Sequence, residues 1–338
     1  MDISIVIPCR NEANYIEECI AAIYNCDVPE SAKIHVFVVD GMSDDGTREI
    51  VAKLKRDHTS LTLVDNKKQL TPFAFNLGIY AGGKVDFVQI VGARHILSKN
   101  YLIRCINKLE ADKETWCVGG RIINEFVNRQ GRIISIAMGI SFGMGIGNFR
   151  TLERSGYTDT VTSPMYPYWV FEKIGFFDEE LIRNQDDDFN YRITKEGGKI
   201  YYEHDITLKY YVRGTLNGLW RQFFQYGYWK VYVNKKHNVV TTIRQLVPPL
   251  FVLYLAGMSP ALIIGKNTAL FGSLPLTIYL LLNVFFSVRF AQKSNDIIQM
   301  MLVYAAMHVS YGLGYWKGIL DFLIQNKKPS EKQKRLSR

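Results

Sequence analysis

The stretch Val36-Phe37-Val38-Val39-Asp40-Gly41-Met42-Ser43-Asp44-Asp45-Gly46-Thr47 constrains this chain more than any other. It starts as an apolar, β-branched run, the composition of a buried strand. It ends in an acid and a glycine, followed by Ser43, Asp44, Asp45 and Thr47, residue types that hold turns and cap helices. A helix is expected over residues 48–56. A carboxylate leaving the C-terminal end of a strand lies where open α/β sheets bind ligands. Taken alone, the same residues also serve a plainer purpose, with Asp40 ending a strand and Asp44 or Asp45 capping the helix.

The flanking chain repeats the pattern. Residues 3–7 are an apolar run closed by Pro8-Cys9-Arg10-Asn11-Glu12, with Asn11 a candidate cap for a helix whose Ile16, Cys19, Ile20 and Ile23 recur at helical spacing. A strand at 61–64, a helix opened by Thr71-Pro72, a strand at 85–91, a helix at 101–109 and a strand at 117–120 running into a turn come next. Strands alternating with helices predict a mostly parallel, helix-covered sheet. No G-x-G-x-x-G follows the first strand, which argues against a nicotinamide or flavin cofactor. Residues 133–147 are apolar and glycine-rich but short of the roughly 17–25 residues of a membrane span, so a buried or ligand-lining segment is expected. A helix at 169–177 is stopped by Gly175. The acid run Gln185-Asp186-Asp187-Asp188 then opens a helix over 189–196 that ends at Gly197-Gly198, and short strands are expected at 200–202 and 207–212.

The remainder changes character. Trp220, Phe223, Phe224, Tyr226, Tyr228 and Trp229 mingle with Arg221, Lys230, Lys235 and Lys236, which makes 216–244 an amphipathic interfacial segment or a helix packed on the first domain. Residues 245–265 and 268–288 carry no charge, with Lys266 between them, and each is long enough to span a bilayer. Residues 297–324 are a third apolar segment, with His308, Lys317 and Asp321 in it. The last twelve residues, 327–338, hold six Lys or Arg against one Glu in a chain of net charge +9. A basic end beside apolar segments points to an anionic membrane surface rather than nucleic acid. The first strand begins at Ile3, so a cytosolic first domain is expected. The positive-inside rule then favours two spans, with 297–324 interfacial or re-entrant and the tail cytosolic. The five cysteines show no C-x-x-C spacing, so neither a zinc site nor a disulfide framework is indicated.

Four pieces in this order resemble family 2 glycosyltransferases of the GT-A fold, and most of all the membrane-attached type of succinoglycan biosynthesis. They are Val6–Glu12, Val39–Thr47, Asn184-Gln185-Asp186-Asp187-Asp188-Phe189-Asn190-Tyr191-Arg192, and Arg221-Gln222-Phe223-Phe224-Gln225-Tyr226-Gly227-Tyr228-Trp229-Lys230. The resemblance implies a GT-A nucleotide-diphospho-sugar transferase domain over 1–215, followed by C-terminal transmembrane helices. It implies a multi-pass protein of the cell membrane whose catalytic domain faces the cytosol. The activity it implies is inverting, hexosyltransferase-like transfer from a nucleotide sugar to a lipid-linked saccharide or polysaccharide. Transfer onto a polyprenyl phosphate and a degenerate homologue that only binds nucleotide or glycan are the alternatives.

The resemblance also assigns roles. Asp186 is the general base, with Asp187 and Asp188 raising its pKa by like-charge repulsion. Pro8, Arg10, Glu12, Asp40 and Ser43 line the nucleotide pocket, Asp40 accepting a hydrogen bond from the base. Arg221, Gln222 and Trp229 correspond to a Q-x-x-R-W region that contacts acceptor and diphosphate, in a different order. Mg²⁺ or Mn²⁺ is normally held by Asp-x-Asp or Asp-x-His at the end of the fourth strand. This chain has Gly92-Ala93-Arg94-His95 there. Two readings follow. Either Arg94, together with His95, takes over part of the metal's role, or a metal still binds, through Asp40, Asp44 or the acid run, with His95 a further candidate ligand.

Overall fold

The computed structural model describes residues 1–145, 149–212, 214–264 and 266–328. The chain runs through β1 (Asp2–Cys9), α1 (Ile16–Tyr24), β2 (Lys33–Asp40), α2 (Thr47–Asp57), β3 (Leu61–Asp65), α3 (Thr71–Gly82), β4 (Phe87–Ile90), β5 (His95–Leu97), α4 (Tyr101–Ala111) and β6 (Thr115–Glu125). It continues through α5 (Arg129–Met138), α6 (Ser141–Met144), β7 (Gly156–Thr158), β8 (Thr162–Pro167), α7 (Trp169–Ile174), α8 (Gln185–Lys195) and β9 (Lys199–Tyr211). Four helices follow: α9 (Leu216–His237), α10 (Val247–Ile264), α11 (Lys266–Phe290) and α12 (Ile297–Gly318). The described residues form two compact units, one made of 1–125 and 149–211, the other of the remainder.

The first unit is built on a mixed sheet of strand order β3-β2-β1-β4-β8-β6-β9-β5, with β7 also paired to β9. β3, β2, β1 and β4 are parallel, so their C-terminal ends share one edge. β8 runs antiparallel between β4 and β6, and β6 pairs in parallel with β9. The strands read as unbroken apolar runs because helices cover both faces. Ile3, Ile5 and Ile7 of β1 pack with Ile16, Cys19, Ile20 and Ile23 of α1. Val6 faces the other way, into a cluster with Val39, Ala74 and Ile79. Each large apolar side chain among these, fully buried, contributes about 1.5–3 kcal/mol.

Two expectations change here. Gly119 and Gly120 lie inside β6 rather than in a turn, because a Cβ on either would sit 2.5 or 2.6 Å from the carbonyl oxygen of Thr162 or Ile206. The strands expected at 200–202 and 207–212 are one strand, β9, whose register against β6 shifts between Glu203 and Thr207. That bulge interrupts the periodicity without ending the strand.

In the second unit the apolar residues from 133 onward form α5 and α6, with Ile133, Ile134, Ala137 and Met138 buried; the end of that stretch, Ile146 and Gly147, lies outside the described residues. Arg129 Nε and Arg132 Nη2 donate to the buried Asp296 carboxylate at 2.7 and 2.6 Å, tying α5 to the start of α12. The segment after Glu125 therefore groups with the C-terminal helices rather than with a continuous domain over 1–215. α9 packs along α12 with backbones nearly touching: a Cβ on Gly227 or Gly314 would lie 2.0 Å from the carbonyl oxygen of Tyr311 or Phe224. Gly272–Phe290 and Ser294–Ile324 are long and apolar enough to cross a membrane, by length and composition. On α11, Leu281, Phe285 and Val288 are more than half exposed. Most of the basic tail, from residue 329 on, lies outside the described residues.

Candidate active site

The loops leaving β1 and β2 at the sheet's C-terminal edge are locked together. Asn11 Nδ2 donates to Asp44 Oδ1 at 2.9 Å, and the Asp44 amide donates back to Asn11 Oδ1 at 3.1 Å. The Asn11 amide donates to Ser43 Oγ, and the Glu12 amide to Thr47 Oγ1. Asn11 and Met42 hold left-handed backbone, φ 55° and 58°, which turns each chain sharply. Asn11 thus braces the β2 loop instead of capping α1, whose first amides bond to the Glu12 carbonyl.

Asp40 is wholly buried beneath these loops. Its Oδ2 accepts from the Ser43 amide at 3.0 Å and from Arg48 Nη1 at 2.7 Å, and its Oδ1 accepts from Ser43 Oγ. The carboxylate expected to accept from a nucleotide base is bonded here to Ser43 and Arg48, which it anchors. Arg48, 30% exposed, reaches on to Asp65 Oδ1 at 2.8 Å. Arg48 and Asp65 escaped the sequence reading. Asp65 ends β3 as Asp40 ends β2, so the same strand-end signal marks it.

Arg94 and Glu12, singled out separately, meet: Arg94 Nε donates to Glu12 Oε2 at 2.6 Å, and the guanidinium lies 4.9 Å from the centre of the Tyr15 ring. Next to Arg94, His95 Nδ1 lies 2.7 Å from Ser163 Oγ and accepts from the Gly92 amide at 3.3 Å. Burial, then the nearby Arg150 charge, lowers the His95 pKa from 6.5 to about 4. Arg150, in the turn Phe149–Thr151, is a second cation that the sequence reading missed. The depressed value makes a prediction. Native His95 stays neutral where unfolded His95 takes up a proton, so its contribution to stability is present above pH 6.5 and lost as pH falls from 6.5 toward about 4. Thermal melts over that range should show a smaller pH dependence in His95→Gln than in wild type; equal slopes would contradict it.

The acid run opens α8 as expected. Asn184 is the left-handed residue before it, and its Nδ2 donates to Asp187 Oδ2 at 2.8 Å. Asp186 is exposed at the first turn, and its Oδ1 accepts from the Asp187 amide at 3.0 Å. Asp188 is fully buried and paired with Arg192 at 3.0 Å. Its charge is compensated there by the guanidinium. Arg192 also donates to the carbonyls of Ile174, Gly175 and Phe176, closing the C-terminus of α7. Phe189 stacks on Phe177 and meets Tyr166 of β8 edge-on, which seats α8 on the sheet.

Arg221, Gln222 and Trp229 lie on α9 in the second unit. Arg221 is exposed, and Gln222 Nε2 donates to Tyr226 at 2.7 Å. Trp229 is 1% exposed among Tyr228, Tyr232 and Phe322, so its ring packs the helix pair and offers no face to a ligand. None of the five cysteines is in a disulfide and all are buried; burial pushes the Cys19 and Cys26 thiols up to about 12, which removes them as nucleophiles.

Parallel strands presenting a carboxylate-rich edge, continued by an antiparallel strand and an acid-headed helix, define a GT-A glycosyltransferase domain. Residues 4–174 match the family described as Glycosyl transferase family 2, and the chain belongs to that family. It is 26% identical over 321 residues to the succinoglycan biosynthesis protein ExoA of Rhizobium meliloti (strain 1021), covering 94% of this chain and 95% of ExoA. It is 28% identical over 231 residues to a dolichyl N-acetyl-alpha-D-glucosaminyl phosphate 3-beta-D-2,3-diacetamido-2,3-dideoxy-beta-D-glucuronosyltransferase of Methanococcus voltae, covering 67% of this chain and 71% of that protein. Among solved structures, the mannosyltransferase PcManGT from Pyrobaculum calidifontis, in complex with GDP-Man and Mn²⁺, has a TM-score of 0.63 at 17% identity, over 93% of this chain and 87% of that one.

The residues here do not fit a divalent metal held in the family's usual way. Gly92 and Arg94 stand where the family has its ligands, and a Cβ on Gly92 would lie 2.9 Å from the His95 ring. His95 Nδ1 already accepts from backbone. Among the described residues no group of three or more His, Cys, Asp or Glu could hold a metal ion.

Proposed function

We propose that the protein transfers a sugar, with inversion, from a nucleotide-sugar donor to a lipid-linked saccharide or polysaccharide at the cytosolic face of a membrane. The observation that carries this reading is Asp186, an exposed carboxylate in the first turn of the acid-headed helix α8. Asp186 takes the proton of the acceptor hydroxyl. That oxygen bonds to the anomeric carbon as the bond to the diphosphate breaks, and the electron pair of the broken bond leaves with the nucleotide. Pro8, Arg10, Glu12 and Ser43 line the nucleotide side, with Asp40 anchoring Ser43 and Arg48 from below. The roles of Arg221 and Gln222 rest on the motif alone.

The donor reading draws on the mannosyltransferase bound to GDP-Man, and the acceptor reading on ExoA and on the dolichyl-linked substrate in the Methanococcus voltae protein's name. Exposed apolar side chains on α10 and α11 suit acyl chains, and Arg289 and Lys293 at and just past the end of α11 suit the cytosolic side. α12, paired with the aromatic and basic α9 and holding Lys317 against Asp321 at 2.6 Å, suits the interface.

The test is a panel of labelled nucleotide sugars offered to sealed vesicles. Inside-out vesicles carrying the protein should move label from one donor into the lipid extract or polymer, and right-side-out vesicles, which exclude the donor, should not. Label in a single sugar on a polyprenyl phosphate, or no transfer from any donor, would contradict the proposal.

A further inference from the structure

Resting on that reading of the donor, we infer that Arg94 supplies the positive charge that a divalent metal supplies at this strand end in relatives, so that a nucleoside diphosphate is bound and released here without a metal. Three observations meet at the end of β4. The place of the first metal-binding carboxylate is closed, since any side chain on Gly92 would run into the His95 ring. The place of the second ligand holds Arg94, a residue that stays protonated at every working pH. Arg94 is also fixed for the task. Its Nε is bonded to Glu12 and its plane is held over Tyr15, which itself packs against Tyr211.

That arrangement leaves the far end of the guanidinium available. Arg94 is 27% exposed, and among the described residues its two Nη groups have no hydrogen-bond acceptor. Four N–H bonds in one plane, anchored from behind through Nε, match two oxygens of a phosphate. As the bond from the anomeric carbon to the diphosphate breaks, its electron pair stays on the diphosphate, and a cation already in place lowers the barrier without reorganising. Before a nucleotide binds, Glu12 balances Arg94, so the guanidinium is partly dry yet paired, the condition under which a buried charge is tolerated. Arg150, close enough to depress His95, adds positive potential at the same strand end.

The experiment is calorimetric titration of UDP and of GDP into the full chain, purified in detergent, in EDTA and in Mn²⁺. Wild type should bind one of the two with the same affinity in both buffers. Arg94→Ala should weaken that binding about ten- to hundredfold in both. Arg94→Lys, which keeps the charge and loses the fork, should recover part of it. Affinity present in Mn²⁺ and lost in EDTA overturns the inference while leaving the donor reading intact, as does an Arg94→Ala protein that binds like wild type. Binding of neither nucleotide in either buffer overturns both. The wild-type comparison decides the matter even where Arg94→Ala fails to fold.

Discussion

Replacing Asp186 with Asn should lower the rate of sugar transfer by about 10²–10⁴-fold while leaving nucleotide affinity unchanged. Asn has the shape of the carboxylate but cannot take a proton. The side chain is exposed and its Oδ1 accepts from the neighbouring Asp187 amide, a bond that the Asn carbonyl can also accept, so the substitution removes a base without disturbing the core. The loss should appear in kcat, because the acceptor proton moves in the transition state rather than in the bound ground state. Single-turnover transfer in Asp186→Asn and wild type, beside nucleotide titrations of both, checks this. A variant within a few-fold of wild type would remove Asp186 from the base role and leave Asp187, held by Asn184, as the nearest other carboxylate on the helix.

Arg192→Ala should cost about 3–5 kcal/mol of stability, the cost of removing one partner of a buried ion pair. Asp188 has no exposed surface, and Arg192 is its ion-pair partner at 3.0 Å. The same guanidinium bonds three carbonyls at the end of α7. Its loss therefore takes the ion-pair partner from a buried carboxylate and loosens the seat of α8 together. Lys reaches fewer of these acceptors and should fall between Ala and wild type. Removing Asp188 as well should recover part of the loss, since the buried carboxylate is then gone. Denaturant unfolding in detergent of the two single variants and the double variant measures it. A cost for Arg192→Ala below about 1 kcal/mol would mean that the pair behaves as an exposed one.

The parallel half of the sheet was legible because its strands are buried on both faces and so are uniformly apolar; β1, β2 and β4 needed no context to be found. β8 was not legible. Its Thr162-Ser163-Pro164-Met165-Tyr166-Pro167 alternates neither in polarity nor in size, and it is a strand because β4 and β6 flank it. β9 looked like two strands because His204, Asp205 and Ile206, unpaired against β6, fill a bulge. The place of the segment just after Glu125, residues 126–145, in the second unit goes with the meeting of Arg129 and Arg132 with Asp296, which no local pattern reveals. At the site, motif order picked out Glu12, Asp40, Arg94 and Asp186. What it lacked was the charge partners around them. Arg48 compensates the charge of Asp40, Glu12 holds Arg94, and Arg192 neutralises Asp188 beside Asp186. Motif order alone does not show which of these charges are spent within the protein and which face a ligand.

The central claim is a single displacement at the anomeric carbon with one carboxylate as base. The measurement that meets it most directly is the anomeric configuration of the new linkage, read by NMR on product made from a ¹³C-labelled donor. Inversion relative to the donor is the predicted result. Retention would require a second displacement or a front-face route that Asp186 alone does not provide, and would contradict the account.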